Sequence, residues 1–349
     1  MLPNVSETKI SEDEAKIYDR QIRLWGLEAQ KRLRSARVLV IGLGGLGAEI
    51  AKNIILAGVD LVTFLDDKKV EDKDFKSQFF IRREHLGNNR AASSVPNAQN
   101  LNPMVRVSAN EESISEKSAD FFKNYDVICL TDSDWSVAQK LDLICSRHGI
   151  KLFIGGVFGF YGYMLSDLGK HEYAVDIPQK TSPKNKTTRD GEPETKRMKI
   201  DENESKTVKK VADFLPLDKV FSFDWSDGKN AARLKKTPTG YFLCKVITEF
   251  LARNDRTPSL TSKISDKQEL LSIRKQLLDG WKLDERYLPT DYFEECYYGE
   301  LSATCAVVGG IVGQEVIKVV SKRDAPHNNF FFFDGVQGCG LVDKIGGDE

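Results

Sequence analysis

The sequence has few of the residues that mark a metal centre or a disulfide scaffold. Its 349 residues contain six cysteines and four histidines, and no two cysteines have CxxC spacing. This argues against a zinc site and a disulfide framework, so we expect a reducing compartment, the cytosol or the nucleus. We predict no metal-binding residues. Cys129, Cys145 and Cys305 lie in apolar or small-residue stretches, so we assign no cysteine a nucleophilic role.

The sequence also lacks a charge bias and a long hydrophobic run. There are 51 basic and 52 acidic residues, a net charge of -1, which gives no indication of a nucleic acid or an anionic membrane as partner. No apolar run approaches the roughly 20 residues of a membrane span. The opening stretch MLPNVSETKISEDEA is polar and acidic, unlike a signal or transit peptide. With 40% hydrophobic and 30% charged residues, the composition is typical of a soluble globular protein.

The most informative stretch is RVLVIGLGGLGAEIAKNIILAGVDLVTFLDD, residues 37–67. An apolar strand at 38–41 is followed by Gly42-x-Gly44-x-x-Gly47, a helix to about Leu56 and a second strand at 61–65 that ends in Asp66. Such glycines permit a sharp turn, the approach of a phosphate and close helix–strand packing, while the acid accepts from ribose hydroxyls. The order predicts one βαβ unit with a nucleotide turn. Glycines that serve backbone packing alone remain the alternative.

The rest of the chain predicts an α/β fold, a Rossmann-like domain with a mostly parallel sheet and flanking helices. We expect one discontinuous domain, 11–175 and 211–349. The expected strands are 105–108, 127–131, 152–154 and an apolar strand in NNFFFFDG, with strands and a tight turn in GGVFGFYGYMLSDLG and a strand-like VFSFDW at 220–225. The expected helices are 90–101, 136–148, 241–252, 266–280 and 302–320. Residues 181–210 are charged and without aromatics, which predicts a disordered loop.

Several stretches together resemble the ubiquitin-like-modifier activating enzymes (E1), a family that shares its adenylation fold with bacterial sulfur-carrier activators. The resemblance lies in YDRQIRLWGLEAQKRLRSARVLVIGLGGLGAEIAKN, AQNLNPMVRV, GGVFGFYGY and CAVVGGIVGQEVIKVVSKRDAPHNNFFFFDG. It covers nearly the whole chain and is weakest at 181–210. The match is closest for the smaller, non-thioester half of the heterodimeric E1 that acts on SUMO.

This resemblance implies a pseudo-symmetric dimer of two adenylation domains. The larger catalytic subunit completes the ATP site, adenylates the C-terminal glycine of SUMO and carries the cysteine that accepts SUMO as a thioester. ATP and Mg²⁺ are then bound mainly by the partner, and this chain is inactive alone. We expect the 302–320 helix to contribute to the dimer interface. The resemblance also implies a nuclear protein that is present in the cytoplasm as well.

The chain departs from the family's active halves at the positions that handle ATP. Those halves carry Asp-x-Asp after the second strand, then Asn-x-x-Arg-Gln, then a lysine after a glycine. Asp66 matches the first acid, but Lys68 replaces the second. Asp74 and Ser77 stand where the asparagine and arginine belong, and Arg90 stands where the lysine belongs. A further acid that helps to hold magnesium falls near Asp132. The turn at Gly42, Gly44, Gly47 and Asp66 is therefore expected to be vestigial.

The basic helix YDRQIRLWG gains a role from the same resemblance. Taken alone, it is typical of a solvated helix face whose arginines pair with local acids. In the family, however, the arginine of YDRQ reaches across the dimer to the partner's ATP phosphates, and Arg20 is the matching residue. A planar, permanently charged guanidinium suits that task.

Two other functions stay open on the residues alone. An NAD(P)-dependent oxidoreductase would need a catalytic histidine or a Lys–Tyr pair near the turn, and we find neither. A self-sufficient adenylating homodimer would need the acid, asparagine, arginine and lysine set that Lys68, Asp74, Ser77 and Arg90 disrupt. Within 181–210, KRMK fits a nuclear signal and an ordinary solvated loop equally well.

Overall fold

A computed structural model describes residues 16–131, 133–178, 205–293 and 299–346. The strands in these ranges are β1 Arg37–Ile41, β2 Leu61–Leu65, β3 Arg106–Asn110, β4 Val127–Thr131, β5 Lys151–Phe158, β6 Tyr161–Asp167, β7 Lys170–Pro178, β8 Ser205–Asp213, β9 Phe330–Asp334 and β10 Cys339–Asp343. The helices are α1 Asp19–Trp25, α2 Leu27–Leu33, α3 Gly45–Ala57, α4 Arg90–Gln99, α5 Ala119–Phe122, α6 Trp135–His148, α7 Leu217–Phe221, α8 Ala231–Leu234, α9 Thr239–Asn254, α10 Lys263–Trp281 and α11 Ser302–Ser321.

Eight strands form one sheet in the order β10-β9-β6-β5-β4-β1-β2-β3. The strands from β5 to β3 pair in parallel, and β6, β9 and β10 add an antiparallel edge. This confirms the predicted α/β class with a mostly parallel sheet. Strands from both sides of the predicted loop share this sheet. The proposed domain limits, 11–175 and 211–349, stay a prediction, and their first residues lie outside the described part.

Helices cover both faces of the sheet, and β1 shows why. Val38 and Val40 join a core with α3 and α11, whereas Leu39 and Ile41 join a core with α6, α9 and α10. Alternate side chains of a strand point to opposite faces, so a continuous apolar run indicates a strand that is covered on both.

Helix α11 packs closely on α3 because small residues line the contact. A side chain at Gly309 would collide with Glu49, and one at Gly313 would meet Asn53. Within the described residues, α11 is the single helix long and apolar enough to span a membrane by length and composition, and half of that stretch is buried. It serves as a core helix here, and Ala306, Val307 and Gln314 form an exposed stripe on its other side.

Two predictions of secondary structure are wrong. Residues 220–225 form no strand, because Pro216 starts the short helix α7 and Trp225 is buried against Tyr241 and Phe242 rather than in a sheet. The predicted charged loop also ends too late. Residues 205–210 belong to β8, which pairs with β7 from Lys170↔Asp213 to Pro178↔Ser205. Residues 181–204 of that loop lie outside the described part.

Candidate functional site

The glycine turn has the backbone geometry of a nucleotide turn. Gly42 has φ +85°, a conformation that a residue with a Cβ rarely adopts. Gly44 is the N-cap of α3, and a side chain at Gly47 would collide with the carbonyl oxygen of Gly42. The hydroxyl of Thr131, at the end of β4, donates to the carbonyl of Gly42 at 2.9 Å. The turn is thus fixed between two parallel strands.

A crevice of about 410 Å³ opens beside this turn. It lies at the carboxyl ends of β1, β2 and β4. The chain leaves β1 toward β2 on one side and leaves β4 toward β5 on the other, and such a change of direction is the usual ligand position in wound α/β sheets. Its lining includes Gly42, Asp66, Lys68, Arg90 and Glu112. Two residues of the predicted nucleotide turn, Gly42 and Asp66, therefore line this crevice.

The acid that would accept from a ribose is bound to the protein itself. Asp66 is 5% exposed, and its Oδ2 accepts from the backbone N–H of Leu43 at 2.7 Å and from Nε of Arg90 at 2.7 Å. Its Oδ1 accepts from the backbone N–H of Lys68 at 3.0 Å. Arg90 also contacts the carboxylate of buried Asp74 at 3.3 Å. Arg90 thus neutralises two buried acids, and breaking such a group would cost on the order of 3–5 kcal/mol.

The remaining predicted residues do not assemble a metal site. Lys68 is exposed at the crevice, and Ser77 is buried under the turn, where its hydroxyl donates to Glu300 at 3.1 Å. Asp132 lies outside the described residues. No group of three or more metal-ligating side chains occurs in the described ranges. These residues do not fit a magnesium triphosphate. Lys68 places a positive charge where the related active halves carry an acid next to the metal, and both carboxylate oxygens of Asp66 already accept hydrogen bonds from the chain.

Glu300 is a site residue that the sequence did not reveal. It lies two residues before the start of α11 and contacts the first backbone amides of α3. Its separation of 255 residues from Gly45 leaves no spacing from which the contact could be found.

Arg20 lies elsewhere, on α1. Arg20 is exposed, and within the described ranges no hydrogen bond or ion pair engages its side chain. Arg23, one turn later, pairs with Asp19 at 3.0 Å. Helix α1 is anchored at the C-terminal end of α3, where Tyr18 packs under Gly58 and Gln21 donates to the carbonyl of Leu56.

The sheet and the glycine turn define a Rossmann-like class of α/β protein. A model of the ThiF family matches residues 18–342. Relatives named SUMO-activating enzyme subunit 1 are 48% identical in Xenopus tropicalis, over 97% of this chain and 98% of theirs, and 48% identical in Homo sapiens, over 97% and 96%. The chain therefore belongs to the ThiF family.

Two further comparisons give a third relative of the same name and a solved structure with a similar fold. The SUMO-activating enzyme subunit 1 of Danio rerio is 46% identical over 97% of this chain and 96% of its own length. A crystal structure of selenomethionine PaaA has a TM-score of 0.56, covers 99% of this chain and 78% of its own, and is 15% identical. At that identity the likeness shows the fold alone.

Proposed function

We propose that this chain is the smaller, non-thioester subunit of a heterodimeric E1 that activates SUMO. The complex adenylates the C-terminal glycine of SUMO with ATP and then forms a thioester on a cysteine of the larger subunit. The proposal is supported by relatives of that name at nearly half identity over almost the full chain. In this complex the chain serves as scaffold, with the exposed stripe of α11 available for the partner.

ATP and Mg²⁺ are assigned to the partner subunit. The support is the chemistry of this chain's own turn, where Lys68 occupies the metal-side position and Asp66 is held by Arg90 and two backbone amides. A triphosphate would gain neither a metal ligand nor a ribose acceptor here.

The thioester cysteine is likewise assigned to the partner. Cys129, Cys145, Cys244 and Cys305 are buried, and Cys339 is the exposed one among the described cysteines. Burial raises the pKa of the Cys129, Cys145 and Cys244 thiols far above the usual range, which suppresses the reactive thiolate. Cys296 lies outside the described residues.

The position of Arg20 is the observation that supports its role in trans. Helix α3 has 13 residues and is about 20 Å long, with the glycine turn at its start and α1 at its end. An arginine side chain is much shorter than that distance, so Arg20 cannot serve its own turn. An ATP that Arg20 contacts belongs to another chain. The guanidinium group of Arg20 would offset negative charge on the triphosphate as pyrophosphate leaves.

The test is Arg20→Ala in the reconstituted heterodimer. We expect ATP–pyrophosphate exchange to slow by on the order of a hundredfold, as for loss of a charged transition-state donor. Assembly of the dimer should be unchanged because Arg20 is exposed and has no partner among the described residues.

Arg23→Ala is the matched control, since it removes the same charge from the same helix. Its exchange rate should stay near that of the wild type. An unchanged rate in the Arg20 variant, or an equal loss in both variants, would refute the trans role.

The two alternatives have distinct signatures. A self-sufficient homodimer predicts ATP–pyrophosphate exchange by the chain and SUMO without the partner. An NAD(P)-dependent oxidoreductase predicts binding of labelled NAD by the isolated chain. Location in the nucleus, with a cytoplasmic pool, belongs to the same proposal, and KRMK, its one candidate signal, lies outside the described residues.

A further inference from the structure

The carboxylate of Glu300 sits on the amides that a nucleotide turn offers to phosphate. Its Oε2 accepts from the backbone N–H of Gly45 at 2.6 Å, and its Oε1 accepts from that of Leu46 at 3.0 Å. Ser77 donates to the same Oε2 at 3.1 Å. Three donors therefore converge on one anion that is part of the chain.

The backbone holds Glu300 in this place. Glu300 forms a bridge with Gly159, which follows β5, and the N–H of Gly159 donates to the carbonyl of Gly299 at 2.7 Å. On the turn side, a side chain at Gly45 would lie 2.5 Å from Cβ of Ser77. The glycine thus permits Ser77 and Glu300 to close over the start of α3.

The electrostatics of this contact favour an anion. The first amides of a helix lack partners within the helix and carry about half a positive charge, which is why helix N-termini bind phosphates and carboxylates. Hydrogen bonds to a charged acceptor are roughly twice as strong as neutral ones. Because the carboxylate is part of the chain, its binding to these amides costs no translational entropy, whereas the binding of a free phosphate does. A free phosphate therefore competes poorly with it.

We propose that Glu300 is an internal anionic ligand that closes this glycine turn to phosphate. The inference rests on the proposed function and deepens it, since it gives the reason why ATP is held by one half of the dimer. Removing the carboxylate should uncover an anion site made of the Gly45 and Leu46 amides and the Ser77 hydroxyl.

The test uses the full chain with Glu300→Ala, and inorganic phosphate and ADP as probes. Amide spectra of isotope-labelled protein report on Gly45 and Leu46 directly. We expect both signals to shift on titration of the variant, with affinity at least about tenfold above that of the wild type, or 1.4 kcal/mol. Over the same range of phosphate and ADP concentrations the wild-type signals should not move, which sets the tenfold value as a lower limit.

Glu112→Ala is the control, because Glu112 lines the crevice beside the turn but touches no amide of the turn. An equal gain in phosphate affinity in this variant would show that the effect comes from the loss of any negative charge near the turn, and it would overturn the proposal. So would phosphate-induced shifts of Gly45 and Leu46 in the wild type, a measurement that stands even if Glu300→Ala does not fold. The Arg20 test measures ATP–pyrophosphate exchange by the heterodimer, whereas the Glu300 test measures phosphate binding by this chain. The proposed function and the role of Glu300 can therefore fail independently.

Discussion

Asp142, on α6, is a buried carboxyl group surrounded by further acids. It is 3% exposed, and its Oδ2 accepts from the backbone N–H of Leu217 at 3.0 Å. Burial, reinforced by the nearby carboxylates of Asp167 and Asp218, raises the pKa of Asp142 to about 7. Two like charges in one buried place cannot both ionise at low cost, so Asp142 keeps its proton to a higher pH than an exposed carboxyl group does.

The raised pKa predicts a loss of stability as pH rises. The native state binds the Asp142 proton more tightly than the unfolded chain, so its contribution to the free energy of unfolding is full near pH 4 and is lost up to about pH 7. Asp142→Asn keeps an acceptor for Leu217 and removes the charge. We expect the wild type to lose about 2 kcal/mol more than this variant between about pH 5 and pH 8, by urea unfolding.

The comparison of the two proteins cancels the titrating groups that are remote from Asp142, whereas Asp167 interacts with Asp142, so the difference belongs to the carboxyl pair. Parallel pH profiles for the wild type and Asp142→Asn would show that the carboxyl pair does not hold the proton.

At the scale of single residues, the sequence predicted the position of the glycine turn but not the side chains that contact it. Gly42 and Gly47 follow from a local pattern in which each glycine has a steric reason. Asp66 was expected to face a ribose, and its engagement by Arg90 depends on side-chain direction, which spacing does not give. Glu300 reaches the turn from the far end of the chain, so no local pattern could indicate it.

At the scale of elements, apolar runs were the reliable signal. β2 and β4 match their predicted bounds because buried parallel strands are continuous apolar segments. β8 was missed because SKTVKKVAD forms an exposed two-stranded ribbon with β7, where lysines are tolerated on both faces. The ribbon is joined to the end of α11, since Ala174 exchanges backbone hydrogen bonds with Lys322 and Asp324.

The ribbon allows the role of the charged insertion to be tested by two matched deletions. Pro178 and Ser205 are cross-strand partners, so a two-residue Asn-Gly turn in place of 179–204 should join them in register. We expect this variant to keep the wild-type Tm and SUMO thioester formation with the partner. Removing 181–210 instead takes six of the nine residues of β8 and leaves β7 without its partner.

The second deletion should therefore lower Tm and weaken recovery of the heterodimer, as measured by thermal unfolding and co-purification. A similar loss in the Asn-Gly variant would show that 179–204 itself contributes to the fold or to the complex.

At the scale of the whole molecule, the described contacts at the glycine turn are made within this chain, and Arg20 lies away from that turn. The first amides of α3 are bound by Glu300, and Asp66 is paired with Arg90. Arg20 of α1, which has no partner among the described residues, lies at the other end of α3. A dimer of two such related domains is then asymmetric in chemistry although similar in fold. In the function that we propose, one half keeps the nucleotide, and the other supplies an arginine and a surface.

This asymmetry predicts the nucleotide stoichiometry of the heterodimer. Equilibrium binding of a non-hydrolysable ATP analogue with Mg²⁺ should saturate at one per heterodimer, and the isolated chain, measured in parallel, should bind none. The physical reason is competition, since the tethered carboxylate already satisfies the amides that a triphosphate would need and Lys68 repels its metal ion. Saturation at two per heterodimer, or binding by this chain alone, would show that its turn is a working site and that Glu300 yields to phosphate.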